Sequence, residues 1–104
     1  MIRDFRIMPR ASGKTTYCKE LRDTVPMSVF IDATYPIREF RGYPRGTAFI
    51  IDEIFLRDDA VMLLIIQYQH MYDFYLVGTP YSVLTHYPTQ FIDTMMDLFP
   101  EEFV

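Results

Sequence analysis

The feature that most constrains the fold is an uninterrupted apolar run at residues 48–51 (Ala-Phe-Ile-Ile), which ends in two carboxylates, Asp52 and Glu53. A strand with no polar alternation is typical of one buried on both faces in a parallel sheet. Because such a sheet needs a cover on each face, other segments must supply helices that pack on both sides. The run therefore predicts an α/β fold with polar groups at the end of a buried strand.

Similar patterns predict the remaining elements. We expect strands at residues 5–8, 27–31, 48–51 and 74–77, and helices at residues 13–23, 60–72 and 90–99. Strands that alternate with helices favour a parallel sheet. The chain has 104 residues, which suits a single domain over residues 1–104.

Composition limits the class of protein. Half of the residues are hydrophobic and 23% are charged, as in globular proteins. The longest apolar run, residues 60–66, is far shorter than the roughly 20 residues of a membrane span. Cys18 is the single cysteine and permits no intrachain disulfide. We therefore expect a cytoplasmic protein that does not enter a membrane.

Charge is divided unevenly along the chain. Residues 1–57 carry a net charge of +3, whereas residues 58–104 contain no Lys or Arg and carry −7. Arginine outnumbers lysine eight to two. This bias suits planar recognition of phosphate or carboxylate groups, although uneven charge also arises by chance in small proteins.

Residues 8–16 carry the strongest signal in the chain, because they match most of a phosphate-binding loop. The pattern G-x-x-x-x-G-K-[ST] is met at Gly13, Lys14 and Thr15, while Met8 stands where the first glycine belongs. In such a loop, backbone N–H groups point at phosphate oxygens at the start of a helix, whose dipole favours anions. Lys14 would reach the β- and γ-phosphates, and the Thr15 hydroxyl would ligate Mg²⁺.

Further polar groups end the later strands. Ligands of open α/β sheets bind outside the carboxyl ends of the strands, where Asp52 and Glu53 end the third strand and Thr79 ends the fourth. We expect Asp52 to hold Mg²⁺, with Asp32 as a further candidate, and Glu53 to polarise the attacking water.

Together, three motifs resemble those of P-loop ATPases of the additional-strand, catalytic-glutamate class, in particular phage terminase large subunits and the related superfamily 2 helicases. The motifs fall within residues 5–80 of the chain. They are a Walker A motif with its nucleotide-binding residues, Arg10-Ala11-Ser12-Gly13-Lys14-Thr15-Thr16, a Walker B motif with the catalytic glutamate, Ile50-Ile51-Asp52-Glu53, and a coupling motif, Gly78-Thr79-Pro80.

This resemblance implies a fold, a reaction and roles for the residues. The fold would be a three-layer P-loop core with a small parallel sheet of about four strands in the order 1-4-3-2. The cofactors would be ATP and Mg²⁺, with Thr15 and Asp52 as metal ligands. Lys14, Glu53 and Thr79 would be the catalytic groups, with Thr79 as the sensor of the γ-phosphate.

The sequence leaves alternative functions open. The first is a minimal ATPase that acts with DNA or within a packaging or replication assembly, of phage or mobile-element origin and then located in the host cytoplasm. Because terminases and helicases are several times longer, the alternative is a regulatory protein that keeps the P-loop fold and binds a larger ATPase. Nucleic-acid binding without nucleotide, through the basic first half, ranks last.

Two other segments suggest partners. Arg38, Arg41 and Arg45 alternate with aromatic residues in the loop before the third strand. This pattern suits nucleic-acid contact or an arginine finger, and suits a solvated loop slightly better. The helix at residues 60–72 is more apolar than a four-stranded sheet readily covers, so we expect it to contact a partner or a second copy of the chain.

Overall fold

The computed structural model describes residues 1–9, 11–32, 37, 40, 42–80 and 86–103. Its strands and α-helices are, in chain order, β1 (Ile2–Ile7), α1 (Lys14–Thr24), β2 (Ser28–Ile31), β3 (Ala48–Ile51), α2 (Asp59–Tyr68), β4 (Asp73–Gly78) and α3 (Thr89–Leu98). Two short 3₁₀ helices, Ile54–Leu56 and Pro100–Phe103, follow β3 and α3.

The strands form one parallel sheet in the order β1-β4-β3-β2. The α/β class and the predicted strand order are thereby confirmed. β4 pairs with both β1 and β3, so the strand that comes last in the chain lies between the first and the third. Because all the strands are parallel, their carboxyl ends meet at one edge of the sheet.

Both faces of the sheet are covered, as the apolar run of β3 predicts. On one face, Cys18 of α1 packs with Ile50 and Val77. On the other face, buried side chains of α2 and α3 pack with the alternate residues of the same strands, among them Phe49 and Phe74. Neighbouring residues of one strand enter different layers because successive side chains point to opposite faces. The helices therefore sandwich the sheet between two layers.

The predicted helix over residues 60–72 is wrong at its carboxyl end. α2 covers Asp59–Tyr68, and in the turn that follows, the Tyr72 N–H donates to the Tyr68 carbonyl at 3.1 Å. This turn lays the Tyr72 ring against Phe49, with the ring centroids 5.2 Å apart. Of the residues after Tyr68, Tyr72 is buried against the core, whereas His70 and Met71 are exposed.

Some residues of the partner hypotheses can be placed and others cannot. Arg10, Arg38 and Arg41 lie outside the described residues, whereas Arg45 is exposed in a turn ahead of β3. In the described ranges, no helix combines the length and the apolar character that a membrane span requires.

Candidate functional site

The polar residues identified in the sequence converge at the carboxyl edge of the sheet. The loop at residues 8–13 follows β1, Asp52 and Glu53 follow β3, and Thr79 follows β4. Since β4 lies between β1 and β3, Thr79 lies at this edge between the loop and the acidic pair. The site is therefore assembled from three strands that are distant in sequence and adjacent in space.

Met8 occupies the position of the first glycine in the phosphate-loop pattern, and its surroundings explain why glycine is not needed there. Its N–H donates to the Gly78 carbonyl at 2.7 Å, which extends the pairing of β1 with β4. Met8 is not among the residues with positive φ, and its side chain packs against the cluster around Cys18. A methionine here lengthens the strand and adds to the core.

The rest of the loop is shaped by left-handed backbone. Ala11 has φ of 59° and Gly13 has φ of 88°. Between them, the Ser12 hydroxyl donates to the Pro9 carbonyl at 2.5 Å. Left-handed residues in such turns direct backbone N–H groups into an anion-binding concavity. Glycine is favoured at position 13 by its positive φ and not by a lack of space, because a Cβ there would meet no atom within 4 Å.

α1 begins directly after this loop. Its first backbone hydrogen bond runs from the Tyr17 N–H to the Gly13 carbonyl at 2.8 Å. The N–H groups of residues 14–16 precede that bond and, by the geometry of a helix start, have no carbonyl of the same helix to donate to. Thr15 and Thr16 are exposed at this end.

Lys14 is held between the two carboxylates of the acidic pair. Its Nζ lies 2.9 Å from Asp52 Oδ1 and also contacts Glu53 Oε1. Only 15% of the Lys14 side chain is exposed, with 8% for Asp52 and 12% for Glu53. Two carboxylates therefore share one ammonium group in a poorly solvated position.

Glu53 also joins the acidic pair to the end of β4. The Thr79 hydroxyl donates to Glu53 Oε1 at 2.6 Å, and the Glu53 N–H donates to Asp52 Oδ1 at 2.8 Å. Glu53 has left-handed backbone, with φ of 54°. The structure thus brings together Lys14, Asp52, Glu53 and Thr79, as the strand order implied by the resemblance requires.

Arg57 belongs to the same region, although no motif in the sequence marks it. Its Nη2 donates to the Asp52 carbonyl at 3.0 Å and to the Asp32 carbonyl at 2.6 Å. Burial lowers the pKa of the guanidinium, while the Asp52 and Asp32 carboxylates act to raise it. The only signal in the sequence is an arginine five residues after Asp52. This spacing alone does not predict that the side chain reaches the Asp52 carbonyl across the 3₁₀ helix Ile54–Leu56.

Cys18 lies on the side of α1 that faces the sheet. Burial raises the pKa of its thiol to about 11, and the charge of Asp52 adds to the rise. The thiol is therefore protonated near neutral pH, and it packs as a small apolar group with Ile50 and Val77.

The residues proposed for Mg²⁺ suit that ion chemically. Across the described ranges, no group of three or more His, Cys, Asp or Glu side chains is arranged to hold a metal. Mg²⁺ bound with nucleotides is usually held by one or two carboxylates together with phosphate oxygens and waters. Asp52 supplies one carboxylate, and the exposed Thr15, which follows Lys14 in the chain, supplies a hydroxyl, so these residue types match the donors that Mg²⁺ takes beside a nucleotide.

No protein-family model matches this chain, and no curated protein or solved structure matches it.

Proposed function

We propose that this chain binds Mg-ATP at the carboxyl edge of its sheet and hydrolyses the γ-phosphate. The observation that carries the proposal is the cluster of Lys14, Asp52, Glu53 and Thr79, linked by contacts of 2.9 Å and 2.6 Å and by the Lys14–Glu53 ion pair. The cluster combines a cation for phosphate, a carboxylate for a metal, a base for water and a hydroxyl beside that base.

Phosphate binding is assigned to the loop and to the start of α1. Hydrogen bonds to phosphate from Lys14 and from backbone N–H groups are charge-assisted and therefore stronger than hydrogen bonds between neutral groups. By resemblance, Arg10, Ser12 and Thr16 belong to the same loop. Thr15 and Asp52 would hold Mg²⁺. When bound, this ion neutralises charge that develops on the β- and γ-phosphate oxygens.

Hydrolysis is assigned to Glu53. Its carboxylate accepts a proton from the water whose oxygen attacks the γ-phosphorus, while the bond to the bridging oxygen of the β-phosphate breaks and ADP leaves. Glu53 Oε1 contacts Lys14 and accepts a hydrogen bond from the Thr79 hydroxyl, and these contacts hold the carboxylate in place while its other oxygen accepts the proton.

The terminase-like and helicase-like context extends this proposal to the partners of the chain. The strand order β1-β4-β3-β2 supports it, since it sets the Thr79 strand between the strands of the loop and the acidic pair. In that setting the chain acts with DNA or within a packaging or replication assembly in the cytoplasm, which is the host cytoplasm if the chain is viral.

Calorimetric titration of Mg-ATP into the wild-type chain and into Lys14→Ala tests nucleotide binding. We expect binding by the wild type, and about tenfold or more weaker binding by Lys14→Ala, because hydrogen bonds from a charged group contribute about 1.5–3 kcal/mol. Lys19→Ala is the matched control, since Lys19 is exposed further along α1, and it should bind as the wild type does.

Circular dichroism of each variant checks folding, because Lys14→Ala leaves Asp52 and Glu53 without their shared cation. A wild-type chain that shows no heat of binding at millimolar Mg-ATP would overturn the proposal.

The regulatory function is a second candidate, favoured by apolar side chains left exposed on the helices opposite α1. Leu63 of α2 is 43% exposed, and on α3 the values are 36% for Met96 and 51% for Leu98. A larger ATPase or a second copy of this chain would cover these side chains.

Sedimentation of Leu63→Glu tests the second-copy arrangement. We expect the wild type to self-associate as its concentration rises and Leu63→Glu to stay monomeric, because a buried carboxylate opposes apolar contact. Met27→Glu is the control, since Met27 is 58% exposed at the amino edge of the sheet. A wild type that is monomeric at all concentrations, or a variant that associates equally well, would rule out self-association through α2.

A further inference from the structure

Arg57 binds the backbone behind the acidic pair. The 3₁₀ helix Ile54–Leu56 separates Glu53 from Arg57, whose side chain reaches back to the end of β3. Its Nη2 reaches the carbonyl oxygens of Asp52 and Asp32, at 3.0 Å and 2.6 Å. One guanidinium nitrogen therefore closes residues 52–57 into a ring and ties the end of β3 to the end of β2.

Glu53 lies inside this ring, and its backbone conformation is unfavourable unless neighbouring groups stabilise it. Glu53 has φ of 54° and ψ of 52°, a left-handed conformation that costs an L-residue other than glycine free energy and persists only where the surrounding structure imposes it. Its N–H donates to Asp52 Oδ1 at 2.8 Å, and its carbonyl accepts the Leu56 N–H at 3.0 Å. The Asp52 carbonyl bound by Arg57 belongs to the peptide that joins Asp52 to Glu53, so the guanidinium restrains the rotation of that peptide.

We propose that Arg57 is a positioning residue, which holds the Asp52–Glu53 peptide so that the Glu53 carboxylate meets the Thr79 hydroxyl and the Lys14 ammonium. An arginine suits this task because its planar fork fixes the direction of each N–H, whereas a lysine ammonium is a point charge on a flexible stem. The kinetic consequence rests on the proposed ATP hydrolysis, while the geometric part concerns the folded chain alone.

The kinetic test compares Arg57→Met and Arg57→Lys with the wild type. We expect kcat for ATP hydrolysis to fall about tenfold or more in Arg57→Met, with the Kd for Mg-ATP within about twofold of wild type, because a displaced base slows the chemical step more than it weakens binding. Arg57→Lys should recover part of the loss. Arg22→Met is the matched control, since Arg22 is half-exposed in the last turn of α1 and ion-paired with Asp23. An unchanged kcat in Arg57→Met, or a loss that appears wholly in Kd, would overturn the proposal.

A second test needs no ATPase activity. Thr79→Val removes the hydroxyl that donates to Glu53 at 2.6 Å, and its effect is measured by urea unfolding in the wild-type and Arg57→Met backgrounds. If Arg57 positions Glu53, we expect Thr79→Val to reduce the folding equilibrium constant by about fivefold or more in the wild type and by less than about twofold in Arg57→Met. If Arg57→Met does not fold, Arg57→Lys takes its place in this cycle.

The two tests separate the possible failures. If the wild type neither binds nor hydrolyses ATP, the proposed function fails and the unfolding cycle alone decides the role of Arg57. Equal losses from Thr79→Val in both backgrounds would show that Arg57 stabilises the edge without positioning Glu53, which would overturn the inference whatever the ATPase result.

Discussion

Glu53→Gln is expected to lower the rate of ATP hydrolysis by about 10²–10⁴-fold, the range that a positioned general base contributes. Glutamine has nearly the same shape as glutamate, and its amide oxygen can still accept the Thr79 hydroxyl, which lies 2.6 Å from Glu53 Oε1. What it loses is the negative charge that pairs with Lys14 and the ability to take a proton from water. Binding of Mg-ATP should therefore stay within about threefold of the wild type, whereas single-turnover hydrolysis should nearly cease.

The choice of control makes this result specific. Glu20 is exposed on α1, six residues after Lys14, so Glu20→Gln removes the same charge and should hydrolyse ATP at the wild-type rate. A Glu53→Gln variant that binds and hydrolyses ATP like the wild type would exclude Glu53 as the base. A variant that no longer binds would instead assign Glu53 to phosphate or metal binding.

Much of the fold could be predicted because its signals are local. The apolar run of β3 has the predicted bounds, Ala48–Ile51. A strand that is buried on both faces contains no polar residue, so its ends are marked by the first polar residue on each side. The order β1-β4-β3-β2 was expected from the resemblance of the motifs, and no local pattern determines it. That order is what lets Lys14, Glu53 and Thr79 meet, although 26 positions separate the last two.

The details that shape the site could not be predicted, because they depend on contacts made only after folding. Glutamate has no intrinsic preference for left-handed backbone, yet Glu53 has φ of 54°. From the sequence alone, Arg57 looks like an ordinary charged surface residue. Its hydrogen bonds to the Asp32 and Asp52 carbonyls form only when β2 and β3 lie side by side. The early end of α2 at Tyr68 likewise follows from the packing of the next turn on the core.

Gly78→Ala is expected to damage both stability and hydrolysis, because the end of β4 lies very close to the 3₁₀ helix after Glu53. A Cβ on Gly78 would stand 2.4 Å from Phe55 Cδ2 and 3.1 Å from Ile54 Cγ2. The Phe55 ring has little room to move, since it is 8% exposed and packs against the rings of Phe5 and Tyr87. We expect urea unfolding to show a loss of about 1–3 kcal/mol, typical of an overpacked core.

Hydrolysis should fall with stability, since the displaced segment begins at the residue after Glu53 and a shift of about 1 Å in a catalytic group costs up to about 10²-fold in rate. Gly46→Ala separates the two effects: Gly46 has φ of 90° and open space around it, so it should lose stability through backbone strain yet keep the wild-type kcat.

The second substitution Phe55→Leu, made on Gly78→Ala, gives the added methyl room. The double variant should recover part of both losses, because the clash and not the loss of glycine is the cause. Two results would contradict this prediction: Gly78→Ala has the same urea midpoint as the wild type, or Phe55→Leu destabilises Gly78→Ala as much as it destabilises the wild type. In either case, the close approach of β4 to the 3₁₀ helix does not position Glu53.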